Sequence, residues 1–197
     1  MKEVKDDDVD KIFLQFQKEL QKIKQETKEP YKELAGWPEF HGPGFVLKIP
    51  DGFEETGREK AAFVFFSKNR PEMVLLNPKE HAGLTFQAAR LKHKISVLKL
   101  EDEGKQIRQI LKQADGKIVF YDQGSLSGDT PALWFDYKSF AADERVYNLM
   151  CLFLSNEKLM IGTFYCMFQD YDRWKPAILK MLETIQTEET EGERIQS

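Results

Sequence analysis

The chain has 197 residues, 41% of them hydrophobic and 31% charged, with 29 basic and 33 acidic side chains giving a net charge of -4. That length and apolar content suit one packed domain with a well-solvated surface. The acidic balance argues against a general nucleic-acid binder, which needs a basic surplus to neutralise phosphates. No apolar run reaches the roughly 18 residues that span a bilayer.

The first residues, Met1 to Asp8, are too charged for a secretory signal, so the cytoplasm is the expected compartment. Val9, Ile12, Phe13, Phe16, Leu20 and Ile23 recur at helical spacing. They predict an amphipathic helix over about 8–28, capped by Asp7 or Asp8 and ended by Pro30. Its polar face mixes both charge signs, which disfavours a membrane surface. Residues 1–30 are therefore read as a helix that packs on the domain or extends it. Residues 31–187 form a single α+β domain, and 188–197 a polar tail.

Gly36-Trp37-Pro38-Glu39-Phe40-His41-Gly42-Pro43-Gly44 carries three glycines and two prolines that predict an irregular loop. Trp37, Phe40 and His41 are the candidate binding residues. The alternative is that the aromatics pin the loop to the core, because large rings bury much apolar area. Strands are expected at Phe45 to Ile49, Ala61 to Phe66, Met73 to Leu76 and Leu84 to Ala89, with a turn at Asn77 to His81. Arg90 to Leu100 fits either period. Ile107, Ile110, Leu111 and Ala114 predict a helix over about 102–114, stopped at Asp115-Gly116.

Lys117 to Gln169 reads as four consecutive strands. The runs are Lys117 to Tyr121, Ala132 to Lys138, Val146 to Leu154 and Leu159 to Phe168, and Asp122 to Thr130 is read as a turn. A last hairpin centred on Asn156-Glu157 places Cys151 opposite Gly162 and Cys166 opposite Tyr147. Both faces of that pair are apolar, so it belongs mid-sheet with cover on each side. The two cysteines share a face but lie about 13 Å apart by strand rise, too far for a disulfide. They are expected as buried free thiols. Trp174, Ile178, Met181, Leu182 and Ile185 predict a closing helix, with Asp172 as N-cap and Pro176 in its first turn.

No catalytic pattern emerges. His41, His81 and His93 are scattered and lack metal-ligand spacing, so neither a metal nor another cofactor is expected. Gly124-Ser125-Leu126-Ser127-Gly128 centres on Leu126 and is not a nucleophile elbow. Apolar neighbours of Cys151 and Cys166 raise thiol pKa values rather than activating a nucleophile.

Three stretches together resemble the PsbP/DcrB-like superfamily, over about residues 44–186. They are Gly44-Phe45-Val46-Leu47-Lys48-Ile49-Pro50-Asp51-Gly52-Phe53, the turn Leu126-x-Gly128-x-x-Pro131-Ala132, and the last strand and helix, Phe164 to Ile185. The resemblance implies an antiparallel sheet flanked by helices, and binding rather than catalysis. The expectation is a non-catalytic protein-binding module or chaperone-like adaptor whose partner is another protein or a second copy, with no nucleic acid and no membrane. The alternatives are an enzyme with a loop-built polar site, drawn from residues such as His41, Asp129 and Asp143, and a structural homo-oligomer subunit.

Overall fold

The computed structural model describes residues 36–56, 71–89, 96–141 and 144–187. The predicted N-terminal helix, the strand Ala61 to Phe66, Asp143, His93 and the tail 188–197 lie outside them. The described order is β1 (Glu39–Gly42), β2 (Phe45–Lys48), β3 (Glu54–Glu55), β4 (Met73–Asn77), β5 (Ala82–Ala88), α1 (Leu100–Ala114), β6 (Val119–Ser127), β7 (Pro131–Ala141), β8 (Glu144–Ser155), β9 (Lys158–Met167), α2 (Tyr171–Leu182) and β10 (Gln186–Thr187). Strands β3-β4-β5-β9-β8-β7-β6 form a seven-stranded antiparallel sheet, and β1-β2-β10 form a smaller one. The class is α+β.

The pair β8–β9 lies at the middle of the large sheet, as its two apolar faces require. Its register pairs Cys151 with Gly162 and Tyr147 with Cys166. The two-residue turn, Asn156-Glu157, holds both residues at positive φ, as a hairpin matched to strand twist does. Both thiols are free and buried. Burial pushes Cys151 up to about 12 and raises Cys166 as well.

Each face of the large sheet closes one core. On one face, Tyr147, Leu149, Cys151 and Phe153 pack with β1, β2 and α2, where Trp37, Phe45, Trp174 and Ile178 are buried. On the other face, Phe135, Tyr137, Met150 and Leu152 pack under α1. Helix α1 approaches closely because Gly104 has no Cβ: one there would come within 2.3 Å of Leu133 Cδ2.

Three expectations need correction. The predicted loop at 36–44 contains β1, which pairs with β2 in a hairpin turned by Pro43-Gly44. Pro precedes a Gly at φ +78, the pattern of a type II turn, so the two punctuating residues close a hairpin rather than a loop. Asp122 to Ser127 is not a turn but the last six residues of β6, and only Gly128 to Thr130 reverse the chain. Its polar residues are tolerated because β6 is the last of the described strands in the sheet and most of its side chains are exposed. Helix α2 starts at Tyr171, so Asp170 and not Asp172 takes the N-cap position, and Pro176 is the sixth helical residue. The helix expected over about 102–114 is present as α1, and Ile107 and Leu111 of its apolar stripe pack against the second core. Leu100, Glu103 and Gly104 are buried, Ile107 and Leu111 half-buried, and Ile110 is 62% exposed, because the helix rests on the sheet through Gly104.

Candidate partner-binding edge

Among the described residues, β6 is an edge strand of the large sheet, nine residues and about 30 Å long, and no described strand pairs with its outer side. The opposite edge is the two-residue β3. Pairing between β6 and β7 slips between Phe120 and Gln123, a bulge that turns Tyr121 and Asp122 away from the regular alternation.

A buried ion network supports that bulge. Asp136 on β7 is 1% exposed. Its Oδ1 accepts the Asp122 backbone N–H at 2.6 Å, and its Oδ2 accepts the Tyr147 hydroxyl at 2.9 Å. Lys175 on α2 reaches Asp136 at 2.7 Å and Asp122 at 2.5 Å, with its ammonium 5.3 Å from the Trp134 ring centre. One lysine thus ties α2 to both β6 and β7. Burial, with the Asp136 carboxylate next, pushes the Tyr147 hydroxyl far above its ordinary value. Burial pulls Lys175 down, but the hydrogen bonds and charges of Asp122 and Asp136 outweigh it, and the net direction is up. Both groups hold their protons at neutral pH. The network positions a strand edge and is unsuited to proton transfer.

Above the network, on the α2 side, lies a surface of rings around one cation. Tyr121 and Phe168 have centroids 6.1 Å apart, and Phe168 stacks on Tyr171 at 5.3 Å. Lys138 sits 5.5 Å from the Phe168 ring and 5.6 Å from Phe140, both within cation–π range. Tyr121, Phe140 and Val119 are 48%, 40% and 42% exposed. On the α1 side of the same edge, a cleft of about 160 Å³ is lined by Glu101, Lys105, Arg108, Gln123 and Ser125. Arg108 donates to the Gln123 side chain and lies 5.7 Å from the Phe135 ring centre. Lys112 donates to the carbonyls of Gly116 and Ile118 at 2.8 and 2.6 Å.

The residues singled out from sequence fall elsewhere. Trp37 and Phe40 are buried at 7% and 8%, inside the core between the two sheets. Phe40 stacks on Phe86 with centroids 5.8 Å apart. His41 is exposed on β1, 3.9 Å from Glu39. Asp129 lies in the β6–β7 turn and accepts from Gln186 at 3.3 Å. His81 takes a left-handed conformation after the short 3₁₀ turn Pro78–Glu80 and borders a second, more apolar groove of about 320 Å³ with Leu76, Val146, Tyr165 and Met167. Among the described residues, no group of three His, Cys, Asp or Glu side chains is placed to hold a metal ion. No described helix is long and apolar enough to cross a membrane. Sequence reading missed Tyr121, Lys138 and Phe140. Phe140 keeps the alternation of β7 past its expected end at Lys138, and that continuation was the available signal.

No protein-family model matches the chain, and no curated protein matches it. Solved structures do. Cyanobacterial PsbP (CyanoP) from Synechocystis is similar at 11% identity, with a TM-score of 0.58 over 83% of this chain and 99% of that one. The Ran-binding protein Mog1p of Saccharomyces cerevisiae is similar at 7% identity, with a TM-score of 0.51 over 77% of this chain and 96% of that one. The expected resemblance to PsbP/DcrB-like proteins therefore holds for the fold alone.

Proposed function

We propose that this chain is a protein-binding module, an adaptor without catalytic chemistry of its own, and that its partner docks at the β6 edge. The carrying observation is the gathering of exposed rings: Val119, Tyr121 and Phe140, three of the five large hydrophobics exposed among the described residues, converge there around Lys138. Exposed apolar surface costs solubility unless something covers it, and aromatic side chains beside a cation are typical interface anchors. The open edge adds main-chain donors and acceptors for a partner. A neighbour in fold is described as Ran-binding, which agrees with a binding role, though a shared fold leaves the partner open. Two free buried thiols suit a reducing compartment, and with it the cytoplasm.

Site-specific photo-crosslinking tests the proposal. A benzophenone side chain replacing Tyr121 or Phe140 should yield a discrete adduct in cells, and the same group replacing exposed Lys158 on the β8–β9 hairpin should not. Equal labelling at all three positions, or none at the first two, would remove the β6 edge as the docking site.

A further inference from the structure

We infer that the partner segment is an extended acidic stretch that adds to β6 as an eighth strand, with carboxylates alternating with apolar side chains. The inference rests on the binding role proposed above and names the chemistry of the partner. Its basis is a set of cations that the described residues leave without a carboxylate. Arg108 donates to the neutral Gln123 amide, Lys112 to two carbonyls, and Lys138 lies between two rings. Lys105 has only an exposed partner on its own helix, Asp102 at 3.4 Å, a contact worth little in water. These charges flank one strand of a chain whose net charge is -4.

Their arrangement matches a strand. Lys112 contacts Ile118 at the start of β6 and Arg108 contacts Gln123 at its middle, so α1 runs alongside the edge. Val119 and Gln123 pair with Lys138 and Phe135, three residues apart on β7, and the step from Ile118 to Val119 adds one more, so the two contact points lie about 13 Å apart by strand rise. Carboxylates at positions i and i+4 of an added strand span that distance, and strand alternation keeps both on the side of Lys112 and Arg108. The intervening side chains point to the opposite face, where Val119, Tyr121 and Phe140 lie exposed around Lys138. A nucleic acid would meet the same cations but would leave the backbone hydrogen-bonding groups of β6 unmatched, so a peptide is the better fit.

Fluorescence anisotropy with labelled nonapeptides tests this on the full chain at low salt. The probes are an alternating Glu/Val peptide, its Lys/Val counterpart, a block peptide of the same Glu/Val composition, and an oligothymidine. The alternating acidic peptide should bind about tenfold more tightly than the others, and added salt should weaken it. Arg108→Glu with Lys112→Glu should reverse that preference while leaving the unfolding transition in place. Lys112→Glu alone should give a smaller loss in the same direction. Equal affinity for the block peptide, tighter binding of the oligothymidine, or indifference to the charge reversals would overturn the inference. So would a tenfold gain on deleting residues 188–197, because the acidic occupant would then be the chain's own tail. Crosslinking at Tyr121 and Phe140 without any peptide preference would leave the binding role standing and remove only the strand-addition model.

Discussion

The two faces of the large sheet bury similar strands under different covers. On the face of α2 and the small sheet, Trp174, Ile178, Phe45 and Phe153 are 0% exposed, and rings interlock from Phe40 through Phe45 to Phe153. On the face of α1, one described helix of 15 residues covers β7 and β8, Ile107 and Leu111 are only half-buried, and among the described residues Arg108 and Lys112 stand there without acidic partners. The first face spends its side chains on packing. The second packs enough to hold the helix and leaves a charged, open edge. In such a molecule, stability and recognition are expected to respond to different substitutions.

The largest effect tests the tight face. Trp174 meets Phe53 and Phe164 at ring distances of 5.6 and 5.2 Å. Trp174→Ala should cost about 3–5 kcal/mol in urea unfolding, through lost burial and an unfilled cavity. A loss below about 1 kcal/mol would mean that this face is not the stabilising one.

Asp136→Asn addresses the junction between the faces. It leaves Lys175 with exposed Asp122 as its remaining carboxylate and weakens the Tyr147 hydrogen bond. A hydrogen bond to a charged group is worth about 1.5–3 kcal/mol, and the partial exposure of Lys175 favours the lower end. Amide exchange at Asp122 should also quicken, because its N–H donates to the carboxylate removed. Unchanged exchange there would uncouple the network from the β6 bulge.

The thiols give a pH test. The folded state raises Cys151 to about 12 and raises Cys166 too, so both keep their protons while an unfolded thiol loses its own near pH 9. Stability present below pH 9 is then lost as the pH climbs, by up to about 1.4 kcal/mol per thiol per pH unit. Urea midpoints at pH 8, 9 and 10 under reducing conditions should fall, and Cys151→Ala with Cys166→Ala should flatten that slope. A slope untouched by the double replacement would assign the alkaline loss to other groups.

The smallest effect lies on the open face. Ile110→Ala, at a 62% exposed position, should change stability by less than about 0.5 kcal/mol. A larger loss would show that α1 is held by more than Leu100, Gly104 and their neighbours.

The β8–β9 register was readable from sequence because a strand apolar on both faces has one sensible place, mid-sheet, and Asn156-Glu157 set the turn. The last six residues of β6 were not, because Asp122 to Ser127 is polar in composition and extended only through pairing with Pro131 to Phe135. The proposed docking edge was hidden for a related reason. For Trp37 and Phe40 the sequence offered two readings, recognition or anchoring to the core, and could not choose between them because burial depends on what faces them; both are buried, with Phe86 stacked on Phe40.

Local periodicity by itself determined the class of this fold, its central hairpin, the buried thiols and the positions of both described helices to within a few residues, since alternation and helical spacing are properties of adjacent residues. Only the tertiary structure decided which strand lies at the edge and which rings stay exposed. It also decided that Lys175 joins Asp122 and Asp136, and that Arg108, Lys112 and Lys138 line one strand. Those outcomes depend on contacts between residues far apart in sequence, and no pattern along the chain encodes them one at a time.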